Sequence, residues 1–336
     1  MNYISYIIDF TMKDLFDYCR GRIIGQDAEL KKAVYMVYKY IENIAAGAKT
    51  PAPSWLLTAP SGMGKTEFFR CLRDFFKLHD ISVPVLQIDL SQITETGFKG
   101  NNMSYIMDAI RSVAPSGVKK LPSGTAICFL DEADKKCGAS YDKHGINVNA
   151  SIQSNLLTMI EGAVLPCTNA DYTVDTSNTM FVLMGAFQEL RDKKQENADA
   201  LREIFKDDLD GEDDLFSDIG IEDMITFGML EELAGRISMV VNFRRLAESD
   251  MQRLIIDKAK KVGKECGASI RLTSKGAEEL AALGYGNLGI RTPINKLREL
   301  AVGALAKRSF EAGGFDPERE EIVVIGKGRA EIRSKC

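Results

Sequence analysis

Apolar residues fall along this chain in two rhythms. Four short runs, SWLLTA (54–59), VPVLQIDL (83–90), AICFLDEAD (126–134) and TMFVLMGAF (179–187), are apolar at nearly every inner position. Runs of that length and density read as buried strands. Between them, AELKKAVYMVYKYIENI (28–44) and KTEFFRCLRDFFKLH (65–79) carry apolar residues at helical spacing. Before these, MKDLFDYC follows Thr11, a residue type suited to cap a helix N-terminus. Strands alternating with helices predict an α/β fold, with a parallel sheet sandwiched by helices. From about Leu246 the rhythm turns helical, in SDMQRLIIDKAKKVGKEC (249–266), SKGAEELAALGY (274–285) and TPINKLRELAVGALAKRSF (292–310), with one late strand in EEIVVIG (320–326). The division expected is an N-terminal extension over 1–20, a large domain over 21–245 and a smaller, mostly helical domain over 246–336. Within the large domain, residues 196–223 form a dense acidic insertion, read as a solvated loop or short mobile helices.

Composition narrows the class. The chain has 336 residues, 45% hydrophobic and 27% charged, with a net charge of −5. That balance fits a globular protein of about two domains and argues against general nucleic-acid binding, which needs a basic face. The seven cysteines are scattered and include no C-x-x-C pair, so free thiols are expected rather than a zinc module. No apolar run is long enough to span a bilayer, and the start MNYISYIIDF lacks a basic leader region. A cytoplasmic protein with no membrane partner is expected.

The chemistry begins at APSGMGKT (59–66). It matches the phosphate-loop pattern G-x-x-x-x-G-K-[ST] except that Ala59 stands at the first glycine. Gly62 and Gly64 let backbone N–H groups turn toward phosphate oxygens, Lys65 reaches the outer phosphates, and the Thr66 hydroxyl is a Mg²⁺ ligand. The nucleotide-contacting set expected from the loop is Ser61, Gly62, Met63, Gly64, Lys65, Thr66 and Glu67. A methyl at residue 59 is tolerable where φ is negative. One strand and one helix further on, ICFLDEADK (127–135) sets two carboxylates at the end of an apolar run. Asp131 is placed to hold the Mg²⁺ shell and Glu132 to activate an attacking water. Arg236, before the apolar run ISMVV, and Arg291, before Pro293, are candidate cations for a γ-phosphate. On residue chemistry alone, each reads as a surface ion-pair partner.

Assembled in this order, these residues resemble the AAA+ ATPases, in the ClpX/HslU branch of protein unfoldases, over residues 20 to 325. The resemblance implies ATP and Mg²⁺ as cofactors, an ATPase ring, a hexamer of identical chains, and a polypeptide substrate. RIIGQ (22–26) is similar to the family's adenine-pocket motif, which places Ile23 and Ile24 beside the base. FGMLEELAGRI is similar to the segment carrying the trans arginine finger, which maps to Arg236, and Arg291 maps to the sensor-2 arginine acting in cis. TETGFKG (94–100) looks like the first pore loop, with Phe98 as the aromatic grip and Lys99 in place of a small apolar residue. Without that resemblance, GFKG reads as a surface turn. His144 falls in the second pore-loop segment, and His79 receives no role. The departures matter too. The first twenty residues are too short for a zinc-binding adaptor domain, and the strand end MGAF lacks a clear polar sensor residue. Only Ile219-Gly220-Ile221 echoes the tripeptide that docks a barrel peptidase, which puts a peptidase partner in question. The alternative is a dedicated assembly ATPase acting on one partner complex without a protease.

Overall fold

The computed structural model describes residues 10–47, 51–94, 102–113, 124–205, 218–285, 289–312 and 314–335. Phe98 and Lys99 lie outside the described residues. The chain divides into two compact units, one of Met1–Ala59 with Gly64–Phe243 and one of Pro60–Met63 with Arg244–Cys336.

The first unit is built on five parallel strands: β1 (Ser54–Thr58), β2 (Val85–Asp89), β3 (Ala126–Asp131), β6 (Thr179–Gly185) and β7 (Ile237–Asn242), in the order β2-β3-β6-β1-β7. Every residue of β1 and β6 is buried, and only Asp131 at the end of β3 is less so. Strands covered on both faces have no polar side to alternate with, which is why their sequences run apolar without a break. β2, at an edge, alternates half-buried and buried positions.

One face of the sheet is covered by α2 (Asp27–Ala45) and α3 (Lys65–Leu78), and α1 (Met12–Arg20) packs on these two helices. Thr11 caps α1 in a reciprocal capping box with Asp14. Phe68 of α3 packs edge-on to Trp55, Phe129 and Phe243, centring the aromatic core on the helix that follows the glycine loop. The Tyr40 hydroxyl of α2 donates to the carbonyls of Ala126 and Asn178, at the entries of β3 and β6. The other face packs Ile106, Met107 and Ile110 of α4 (Ser104–Val113), Ile152 and Leu156 of α5 (Val148–Ile160), and Met224 of α7 (Ile221–Phe227).

A short hairpin of β4 (Val164–Pro166) and β5 (Thr173–Asp175) was not foreseen, because three-residue strands with exposed ends leave no periodic signal. The acidic stretch, expected as a loop or short helices, is helical at its start. It begins inside α6 (Gln188–Phe205), whose Glu, Lys, Gln and Ala are good helix formers whatever their net charge. The Lys194 ammonium donates to the Asp218 carbonyl at 2.7 Å and to the Asp223 carboxylate at 2.6 Å, clipping α6 to the start of α7. Beside that clip, the buried Asn242 amide exchanges hydrogen bonds with the backbone of Ile219, and the Asn242 N–H donates to Glu29 of α2.

The second unit carries α9 (Glu248–Cys266), α10 (Ser274–Leu283) and α11 (Arg291–Ala312). It also holds a three-stranded sheet, β10-β9-β8, of β8 (Ile270–Leu272), β9 (Glu320–Gly326) and β10 (Arg329–Ser334). Only β9 was legible as a strand. β10 alternates half-buried and exposed positions, and β8 is three residues long.

Candidate functional site

The glycine loop leaves β1 at Ala59 and enters α3 at Lys65. Gly62 and Gly64 both adopt left-handed backbone, with φ of 78° and 107°. At Gly64 a methyl would also reach Ile23 at 3.5 Å and Phe243 at 3.6 Å. Ile23, a residue expected beside the base, is therefore adjacent to the loop and buried. Among the described residues, Ala59 is not one of those with positive φ, and it is fully buried. Its N–H donates to the Gly185 carbonyl, so the loop leaves the strand on ordinary backbone and a methyl fits there.

The Lys65 ammonium donates to the Ala59 carbonyl at 2.5 Å. Burial pushes it down to about 8, opposed by the charges of Asp131, Asp134 and Glu132 and reinforced by that of Arg191. That interplay places the two sequence motifs in one electrostatic field at the C-terminal edge of the sheet, where parallel sheets gather ligands.

On the strand side, the Gln87 amide donates to one oxygen of Asp131 at 2.6 Å and the Glu132 N–H to the other at 3.0 Å. Glu132 itself is exposed and sits in left-handed backbone at φ 58°, which turns its side chain off the strand line. Partial desolvation of its carboxyl against the strand end raises its pKa, with help from Asp134 and Asp131. A raised carboxyl is a better proton acceptor near neutral pH. Asp134 lies deeper. One of its oxygens accepts the Phe187 N–H at 3.3 Å and the other is buried without a hydrogen-bond partner. Phe187, at φ 48°, is a second left-handed residue at the neighbouring strand end. Gly185 beside it has no room for a side chain, because a methyl would meet the Phe187 ring at 2.5 Å and Asp134 at 2.9 Å.

The remaining expected residues are placed as follows. The Glu67 carboxylate is taken up by the Arg22 guanidinium, at 2.8 and 3.0 Å, and by Arg70, so its side chain braces α3 against the segment preceding Ile23. Arg22 reaches on to Asp74 at 2.8 Å. Arg236 follows the short α8 (Glu231–Ala234) and is 57% exposed, with its guanidinium on Glu161 at the end of α5. Arg291 is the exposed first residue of α11 in the second unit. Ile219 is buried, and Gly220 caps α7, so residues 219–221 form no projecting docking loop.

Arg191 is the residue that sequence reasoning missed. In the first turn of α6, its guanidinium donates to the Ala186 carbonyl at 3.1 Å and to the Thr58 hydroxyl. Thr58 immediately precedes Ala59, so Lys65 and Arg191 bring two cations to consecutive residues at the end of β1. The available signal was an arginine one helical turn after MGAF, the strand end without a polar residue. Among the described residues, no cluster of three or more His, Cys, Asp or Glu could hold a metal by itself. Thr66 and Asp131 are hard oxygen donors, the chemistry that suits a Mg²⁺ sharing its shell with phosphates and water. No described helix is long and apolar enough to cross a membrane.

The family model "AAA domain (Cdc48 subfamily)" matches residues 50–240 of the 336. The chain is 26% identical, over 97% of its length and 83% of the relative's, to the ATP-dependent Clp protease ATP-binding subunit ClpX of Treponema denticola. To the proteins of the same description in Borrelia duttonii and Porphyromonas gingivalis it is 25% and 24% identical, spanning 61% and 64% of their lengths.

Proposed function

We propose, from the premise that this chain belongs to the AAA family and is a ClpX-like ATPase, that it works as a ring-forming, ATP-driven unfoldase or remodeller of polypeptides. The observation that carries this reading is the geometry of the sheet edge. The glycine loop, with Gly62 and Gly64 in left-handed backbone, leaves β1 with the Ala59 N–H on the Gly185 carbonyl of β6, and β3, paired to the other side of β6, ends at Asp131 and Glu132.

In that arrangement, the N–H groups of residues 61–66 and Lys65 hold the phosphates, while Ile23 and Ile24 flank the base. Thr66 and Asp131 are the donors for Mg²⁺, which supplies charge neutralisation on the phosphates when bound. Glu132, aimed off the strand by its left-handed backbone, accepts the proton of the attacking water. Arg236 is exposed at the surface of its own subunit, as a group that completes a neighbour's site must be. Arg291 serves as the sensor-2 arginine in cis. A hexamer of identical chains follows, with Phe98 and Lys99 lining its channel. An aromatic ring offers contact area to any side chain without demanding a sequence.

The test separates the motor from the grip. Phe98→Ala should retain ATP hydrolysis and lose unfolding of a tagged fluorescent substrate. Full unfolding activity in that variant would rule out threading and favour a dedicated assembly ATPase acting on one partner complex. The buried position of Ile219 is no support for peptidase docking. Co-purification of a barrel peptidase with Glu132→Gln in ATP would supply that support.

A further inference from the structure

Helix α5 touches the catalytic turn at one place and Arg236 at another. After Glu132 the chain makes a tight turn over Ala133–Lys136. Gln153 of α5 is 3% exposed and closes three hydrogen bonds there. Its amide nitrogen donates to the Lys136 carbonyl at 2.8 Å and to the Gly228 carbonyl at 3.1 Å. Its amide oxygen accepts the Leu230 N–H at 2.7 Å. One turn earlier, Asn149 donates to the carbonyls of Lys135, at 3.3 Å, and Gly138, at 2.9 Å. Gly228 seals the seam. It has φ 107°, and a methyl on it would stand 2.9 Å from the Gly138 backbone. Leu230 is the N-cap of α8, and the Arg236 N–H folds back onto Leu233 at the end of that helix. At the far end of α5, Glu161 holds the Arg236 guanidinium.

The chemistry of this contact is demanding. It needs two donors and one acceptor on one short planar group, which only an amide supplies. A carboxylate would set negative oxygens against two carbonyls. An apolar side chain would leave a donor and two acceptors buried and unpaired.

We propose that Gln153 is a positioning residue that ties the carboxylate turn of the chain's own site to the segment bearing Arg236. The state of one site is thereby felt at the arginine offered to the next. The second half of this statement rests on the trans-arginine reading given above.

Hydrogen exchange read by mass spectrometry, on the full chain with and without AMP-PNP, tests the tie. In the wild type, AMP-PNP should change exchange across residues 229–236. In Gln153→Met that response should vanish, with AMP-PNP affinity unchanged and kcat for ATP lowered on the order of tenfold. Because Gln153→Met risks misfolding, Leu230→Pro provides a second cut. Leu230 has φ −60°, which a proline ring accepts, and the substitution removes the N–H that reaches Gln153 while trading the partly buried leucine side chain for a smaller apolar ring. An AMP-PNP response that persists unchanged in either folded variant would overturn the tie. Arg236→Ala, measured alongside, judges the other half. Hydrolysis at the wild-type rate there would sink the trans-arginine reading, while the exchange data would still decide what Gln153 does.

Discussion

Lys65 and Glu132 are each held away from their ordinary titration, and in opposite senses. Burial lowers the ammonium to about 8, while partial desolvation and the neighbouring Asp134 and Asp131 raise the carboxyl. Both shifts disfavour the charged form, and phosphate oxygens brought beside Lys65 would favour its ammonium. For Glu132→Gln, ATP binding should persist while the single-turnover hydrolysis rate falls at least about 100-fold, the range for loss of a general base. Arg191 makes a different prediction. If its cation serves the outermost phosphate, Arg191→Gln should weaken ATP more than ADP, by about tenfold in the ratio of the two affinities, about 1.4 kcal/mol. Equal loss for both nucleotides would assign Arg191 to holding the Thr58 turn alone. At this scale the sequence spoke clearly where neighbours in space are neighbours in sequence. Asp131 and Glu132 end an apolar run, and Lys65 follows two glycines. It was silent on Arg191, whose partner Thr58 lies far away in the chain, and on Asp134, whose importance comes from the depth at which it is buried.

Among elements, α1 and α3 depend on one guanidinium. Arg22 binds Glu67 and Asp74 of α3 together, from the residue that follows α1 and Gly21. Its hydrogen bond holds the Asp74 carboxyl below the usual carboxylate range. A carboxyl whose folded pKa lies below its unfolded one contributes stability that is complete above the unfolded value and lost as pH falls through the folded one. The thermal midpoint of the wild type should therefore drop further than that of Arg22→Ala on going from about pH 5 to about pH 3. Parallel pH curves for the two proteins would remove Arg22 from this role. The pair is partly exposed, so the difference should be modest, about 1 kcal/mol or less. The sandwiched strands β1, β3 and β6 were readable because burial on both faces writes itself as an unbroken apolar run. The hairpin β4–β5 and strand β8 were not, because their pairings are set by distant partners.

For the whole molecule, the sharpest expectation concerns mixing. Arg236→Ala and Glu132→Gln should each be nearly inactive alone if the arginine completes a neighbour's site. Mixed before assembly, they should recover part of the ATPase activity, because some interfaces then pair an intact Glu132 with an intact Arg236. Absence of recovery in co-assembled rings would place the arginine in its own subunit's chemistry. The alternation of strands and helices revealed the α/β class from sequence. Assembly was legible only through the resemblance, since a ring leaves no periodic mark on one chain.

The clip made by Lys194 on Asp218 and Asp223, backed by Asn242 on Ile219, has a practical consequence for engineering. It holds the second turn of α6 beside the entry of α7, and so closes the stretch of chain between Lys194 and Asp218. For a loop whose ends are already fixed together, each doubling of length costs only about 0.6 kcal/mol. A fluorescent reporter or an affinity handle spliced between Phe205 and Asp218 lengthens the stretch closed by that clip and should leave the sheet edge and its chemistry intact.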